Sequence, residues 1–121
     1  MKVLLINGSP HEKGCTYTAL SLIAKELNAG GIDTEILHVG GQPVGGCIGC
    51  GGCRKGEGCV FGGVVNEAIE KAKTADGFVF GSPVHYASAT GNMTAFMDRL
   101  AYAGGRYLAY KPAAICCSAR R

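Results

Sequence analysis

Residues 2–28, KVLLINGSPHEKGCTYTALSLIAKELN, decide the fold. Lys2 to Ile6 is a continuous apolar run with no alternation, which predicts a strand covered on both faces. Asn7-Gly8-Ser9-Pro10 stops it with a cluster of turn residues. A helix is predicted from Cys15 to Asn28, because Leu20, Ile23, Ala24 and Leu27 fall at i, i+3, i+4 and i+7 and give one apolar face. Gly30-Gly31 should end it.

The same alternation continues along the chain. A second strand is expected over 33–39, a helix over 64–74, a short third strand over 77–81, a third helix over 90–102 and a fourth strand over 112–117. Strands alternating with helices mean parallel pairing with crossovers, an α/β domain. The expected fold is a doubly wound parallel sheet, flavodoxin-like, with the four strands in the order 2-1-3-4. The fourth strand, PAAIC, reads as buried on both faces, yet this order puts it at an edge. A partner subunit or the third helix would cover it on one reading. The expectation adopted is that residues 1–121 are a single domain incomplete at its C-terminus, with a fifth strand missing.

Composition narrows the class. The chain has 121 residues, enough for one modest core. Twelve Lys and Arg against nine Asp and Glu give a net charge of +3, scattered rather than striped, which argues against nucleic acid. No segment approaches the roughly 20 apolar residues of a membrane span, and the N-terminal apolar run is too short for a signal peptide. A cytoplasmic location is the default. Seven cysteines are an odd number, which fits metal or redox chemistry in a reducing compartment better than a disulfide framework.

Two loops follow strands at the carboxyl edge of such a sheet, where ligands bind. The first, 8–18, opens a helix whose N–H groups and dipole suit a phosphate, with Ser9, Thr16 and Thr18 as hydroxyl donors. It matches neither G-x-x-x-x-G-K-[ST] nor G-x-G-x-x-G, so a mononucleotide phosphate is expected rather than a triphosphate or a dinucleotide. Ser9 and Thr16 serving only as caps is the plainer alternative. The second loop, 81–93, combines small residues with His85 and Tyr86, which suits a flat ring. Ser88 or Thr90 should cap the helix after it.

The segment 40–63 is a long Gly-rich loop, and loops of that length are usually functional. Within it Cys47-x2-Cys50-x2-Cys53-x5-Cys59 is the sharpest signal in the chain. Four thiolates complete a [4Fe–4S] cube. They also satisfy tetrahedral zinc. A metal-free redox loop is the third reading. Cys116-Cys117 lies inside a strand, so the two side chains should face opposite ways and serve packing. Asp98 and Arg99 read as a solvated or structural pair.

Taken together, GSPHEKGCTYTAL, GSPVHYASATGNMTAFMDRL and the cysteine run resemble the NADPH-dependent FMN reductase family of flavodoxin-like proteins, and within it the iron-sulfur flavoproteins. The likeness covers nearly the whole chain. It implies a flavin-dependent oxidoreductase or electron-transfer flavoprotein with noncovalent FMN. The phosphate would sit on Ser9, Pro10, His11, Gly14, Cys15, Thr16, Tyr17 and Thr18. The ring would lie on Pro83, Val84, His85, Tyr86, Ser88, Ala89 and Gly91, with Ser118 and Arg120 from the fourth-strand loop. A [4Fe–4S] cluster on Cys47, Cys50, Cys53 and Cys59 is implied as well. The donor would be NAD(P)H or a reduced ferredoxin-type protein, the acceptor a small molecule or protein, and the assembly a homodimer or homotetramer. A cluster-free NAD(P)H-dependent FMN or quinone reductase, and a non-enzymatic carrier or inactive fragment, are the alternatives. Relatives usually carry Asn where Cys15 stands, often Tyr where His85 stands, and often an acidic pair where Gly62-Gly63 stand.

Overall fold

The computed structural model describes residues 1–56 and 58–120. Its strands are β1 (Lys2–Asn7), β2 (Asp33–His38), β3 (Gly77–His85), β4 (Ser88–Ala89) and β5 (Ala113–Ser118). Its helices are α1 (Cys15–Ala29), α2 (Val64–Thr74) and α3 (Gly91–Leu108). Strands β2, β1, β3 and β5 pair in that order and in parallel. This is the predicted 2-1-3-4 order, with β5 as the fourth predicted strand. The short β4 folds back antiparallel on the end of β3.

The uninterrupted apolar run in β1 is explained by burial on both sides. Leu5, with Val79 of β3, packs under Leu20 and Ala24 of α1. Leu4 and Ile6, with Phe78, face α2 and α3 on the opposite side, against Val65, Ile69, Phe96 and Leu100. Successive strand residues point to opposite faces. A single strand thus feeds both halves of the core.

Three elements differ from the sequence expectation. Helix α3 runs to Leu108 rather than Tyr102, straight through Gly104-Gly105. Gly104 is there for contact: a Cβ on it would lie 2.8 Å from Ile69 Cγ1. Strand β3 extends past Gly81 to His85, because Gly81, Ser82 and Pro83 pair with Cys116, Cys117 and Ser118, and Val84 and His85 pair with β4. Strand β5 is not buried on both faces. Ile115 is 86% exposed, so α3 does not cover it. Cys116 packs on the α1 side, where burial pushes its thiol pKa up, while Cys117 is exposed.

Charge reinforces the β2 edge. Glu35 on β2 accepts hydrogen bonds from Lys2 on β1 and Lys71 on α2, and these lower its pKa below the ordinary 4.5. A lowered carboxylate pKa stabilises the fold above its unfolded value, and the gain is lost as pH falls through the folded value. Glu35 is about a third exposed, so the effect is modest. Glu35→Gln should cost about 1 kcal/mol at neutral pH. The difference from wild type should vanish as pH drops below 4.5 and through the lowered value. Urea midpoints measured from pH 7 downward check both parts.

Candidate functional site

The carboxyl ends of β1, β3 and β5 meet around one cavity of about 410 Å³. The first loop contributes Ser9, His11, Gly14, Cys15 and Thr16. The second contributes Pro83, Val84 and His85, and the end of β5 contributes Ser118, Ala119 and Arg120. Of the residues predicted to hold a cofactor, Pro10, Tyr17, Thr18, Tyr86, Ser88, Ala89 and Gly91 lie outside this lining. Thr18 instead hydrogen-bonds back to the Gly14 carbonyl at 3.2 Å.

The loop at 8–14 is fixed from behind. Asn7 is fully buried at the end of β1. Its Nδ2 donates to the Glu12 carbonyl at 3.0 Å and its Oδ1 accepts from the Ser9 N–H at 3.1 Å. The Ser9 hydroxyl oxygen accepts from the His11 N–H at 3.1 Å. His38, at the end of β2, donates from Nε2 to the Ser9 carbonyl at 2.8 Å. Sequence reading missed His38, because a lone His in a strand carries no motif.

Gly14 precedes helix α1 at its N-cap and the helix has no side-chain cap, so neither Ser9 nor Thr16 closes its N-terminus. Its first N–H groups have no intrahelical partner and face the loop with the positive end of the dipole. Thr16, buried in the first turn, shares a hydrogen bond of 2.9 Å with Ser118, tying α1 to β5. Small, neutral donors around an uncapped helix end fit an anionic phosphate chemically.

The second loop is locked to the first. Thr90 caps α3, accepting from the Met93 N–H at 3.1 Å, and donates to the Gly8 carbonyl at 2.8 Å. The Thr90 N–H donates to Ser82 Oγ at 3.1 Å. Between β3 and β4, Tyr86 (φ 47°) and Ala87 (φ 67°) occupy the two turn positions of a tight hairpin. Both are left-handed, a conformation such turns normally give to Asn-Gly. Tyr86 is fully exposed. Replacing Ala87 with glycine should relieve strain and raise stability by about 1 kcal/mol, readable as a higher urea midpoint with an unchanged slope.

The cysteine segment forms a second site. Cys47, Cys50, Cys53 and Cys59 line one cavity of about 160 Å³ together with Arg99. Four exposed apolar side chains, Ile48, Val60, Phe61 and Tyr102, share its lining. A single 3-10 turn, Gly52–Lys55, interrupts what the sequence presents as featureless loop. None of the seven cysteines is in a disulfide. Among the described residues no three His, Cys, Asp or Glu side chains converge closely enough to hold one metal ion. All four cysteines line the same cavity. Glu57, inside the run, lies outside the described residues.

Three side chains clamp this segment. Asn92 donates to the Gln42 carbonyl at 3.0 Å and accepts from the Val44 N–H at 3.1 Å. Asn66 accepts from the Cys59 N–H at 2.8 Å and donates to the Cys59 carbonyl at 2.9 Å. Arg99 is buried and donates from Nε to Cys59 Sγ at 3.2 Å. That corrects the reading of Asp98 and Arg99 as a pair: Asp98 is exposed, and the ion pairs among the described residues do not join them. The signal was available, since Arg99 follows Phe96 by three positions and so falls on the apolar face of α3. Gly62 and Gly63, where relatives often have acids, have φ of 59° and 68°, which suits glycine.

Comparison with known proteins agrees with this architecture. A family model described as NADPH-dependent FMN reductase matches residues 1–121. An iron-sulfur flavoprotein of Methanocaldococcus jannaschii is 37% identical over 103 residues, covering 82% of this chain and 51% of the relative. An iron-sulfur flavoprotein of Clostridioides difficile is 34% identical over 115 residues, covering 93% of this chain and 51% of the relative. The chain therefore spans about half the length of these curated relatives. Among solved structures, an NADH:FMN oxidoreductase in its apo form superposes with a TM-score of 0.69 at 23% identity, over 99% of this chain and 59% of that one. An NAD(P)H:quinone oxidoreductase from Methanothermobacter marburgensis gives 0.71 at 17% identity, over 98% of this chain and 66% of that one. At these identities the structures support the flavodoxin-like fold alone.

Proposed function

The chain belongs to the NADPH-dependent FMN reductase family, and from that premise we propose that it is a flavin-dependent oxidoreductase that holds FMN at the carboxyl edge of the sheet and a [4Fe–4S] cluster in the cysteine loop. The observation that carries the flavin half is the cavity where the loops after β1, β3 and β5 meet. The phosphate falls to the uncapped N-terminus of α1, with the Ser9 and Thr16 hydroxyls beside it. Pro83, Val84 and His85 form the wall for the ring, and Arg120 adds positive charge at the lip. Asn7 and Thr90 hold both loops in place before a ligand arrives, which lowers the ordering cost of binding. Bound FMN would supply hydride and electron chemistry; the protein orients it and sets its electrostatics.

The cluster half rests on four thiols around one cavity and on the names of the relatives. Thiolate sulfurs around a single tetrahedral zinc sit about 3.8 Å apart, given Zn–S bonds of about 2.3 Å. An iron–sulfur cube takes one thiolate at each of four irons and spreads them around a larger body. The choice of the cube over the single ion rests on the relatives, which are named iron-sulfur flavoproteins. The lack of convergence among the described residues supports a second reading, a cluster-free NAD(P)H-dependent FMN or quinone reductase. NAD(P)H or a reduced ferredoxin-type protein is the proposed donor, a small molecule or protein the acceptor. A homo-oligomer in the cytoplasm completes the proposal. Among the described residues no helix is long and apolar enough to cross a membrane.

The test is an absorption spectrum of anaerobically purified protein with iron, zinc and acid-labile sulfide assayed on the same sample. Flavin bands over a broad shoulder, with about four irons and four sulfides per chain, are expected. Flavin without metal would leave the cluster-free reductase. Zinc without sulfide would replace the cluster. A protein without flavin would refute the flavin half.

A further inference from the structure

Arg99 is a cation in an apolar place. It is 6% exposed, on the face of α3 that carries Phe96 and Leu100. A guanidinium does not shed its proton in proteins, and burying its charge unpaired costs several kcal/mol. No carboxylate offsets it in the ion pairs among the described residues. Its three nitrogens go elsewhere. Nε donates to Cys59 Sγ at 3.2 Å, Nη1 to the Gly45 carbonyl at 3.3 Å and Nη2 to the Gly62 carbonyl at 3.1 Å. The Phe61 ring lies 5.3 Å away and covers the guanidinium. The two carbonyls lie just outside the cysteine run, one at each end. Of the three acceptors, only the sulfur can carry a full negative charge, as the thiolate that ligates iron.

We infer that Arg99 is a positioning residue for the cysteine site: it closes both ends of the loop on α3, holds Cys59 Sγ by an N–H···S bond, and raises the reduction potential of the cluster. The inference rests on the cluster reading proposed above. The physical reason is charge. Reduction adds one electron and no proton, so the site becomes more negative by one unit. A buried cation bonded to one ligand sulfur stabilises that reduced form more than the oxidised one. Hydrogen bonds to the sulfurs and local charge are established levers on cluster potential. Low dielectric around Arg99 strengthens the effect.

The experiment compares wild type, Arg99→Met and Arg99→Lys by anaerobic redox titration with dithionite as the one-electron source, followed by EPR. Iron, sulfide and flavin are counted on every sample. In Arg99→Met the equilibrium constant for one-electron reduction should fall about tenfold, a shift of about 59 mV to lower potential. Arg99→Lys keeps the charge and should recover at least half of that shift. Should Arg99→Met fail to load iron while Arg99→Lys loads it, Arg99→Gln takes its place, since it retains an N–H donor without the charge. Equal potentials in all three proteins would overturn the inference and leave the cluster standing. An equal drop in the Lys and Met variants would also overturn it, by showing that shape rather than charge matters. Wild type without iron would overturn the cluster reading itself, and the inference with it, before any variant is compared.

Discussion

Replacing Cys50 by alanine is expected to strip iron and labile sulfide from the protein and leave its flavin spectrum unchanged. Cys50 is the informative choice because nothing else depends on it. It is exposed, whereas Cys59 is held through its backbone by Asn66 and through its sulfur by Arg99. Loss of the Cys50 thiol would therefore remove a proposed ligand without releasing a packed group or a buried donor, and stability should change by less than about 0.5 kcal/mol. A four-thiolate cube needs all four ligands. Iron should fall from about four per chain to below one. The cavity proposed for the flavin draws its lining from segments 9–16, 83–85 and 118–120, none of it from the cysteine segment. Unchanged iron would mean that Cys50 ligates nothing. Loss of flavin together with iron would mean that the two sites are not separable.

That separation could be read from the sequence in part. The apolar run at 3–6 and the helical spacing of Leu20, Ile23, Ala24 and Leu27 determine β1 and α1, because a strand buried on both faces and a helix with one apolar stripe leave clear periodicities. The turn residues after each strand placed both loops at the correct edge of the sheet. What failed was local and has a common cause: contacts made at long range. The helix expected over 90–102 runs on through Gly104, which is a packing contact against Ile69. Pro83 looks like a loop residue and pairs with Ser118 on β5. Apolar PAAIC looks doubly buried, yet Ile115 is exposed. Sequence period reports how a segment would pack, not which neighbour is present to pack against it.

The lining of the two candidate cavities was legible to a similar depth. Chemistry-bearing types announce themselves, so Ser9, Thr16, His85 and the four cysteines could be named. Supporting residues do not. Asn7, His38, Asn66 and Asn92 make their hydrogen bonds to backbone atoms of loops, and no spacing rule marks such a residue. Seven of the predicted flavin residues fall outside the cavity for the reason that a loop folds: Tyr86 is carried outward on the hairpin, and Gly91 starts α3 on its exposed side. Glycine is the residue type whose role the sequence conceals most. Twenty glycines cannot all be turns, and Gly40 is the clearest case of one that is not merely flexible.

Gly40→Ala is expected to abolish flavin retention while the cysteine loop still loads iron. Gly40 is buried where the chain leaves β2 and passes behind the first loop. A Cβ on it would lie 2.1 Å from the Ser9 carbonyl oxygen and 2.4 Å from the carbonyl carbon. Those are backbone atoms, so no rotamer relieves the overlap. The Ser9 carbonyl is also the acceptor of the His38 Nε2–H bond, and Ser9 N–H is held by Asn7. Moving Ser9 breaks that bracing and shifts the N-terminus of α1, to which the phosphate is assigned. Overpacking of this kind costs about 1–3 kcal/mol where side chains can move, and more where only backbone can. The core formed by Leu4, Ile6, Val65, Phe96 and Leu100 does not include Gly40, so a cooperative urea transition at a lower midpoint should remain. Flavin per chain after gel filtration should fall at least tenfold, since about 1.4 kcal/mol of misplaced contact already gives that factor in affinity. Flavin retained by Gly40→Ala would show that Ser9 and the α1 N-terminus do not set the affinity. Iron lost along with flavin would show that the first loop supports both sites.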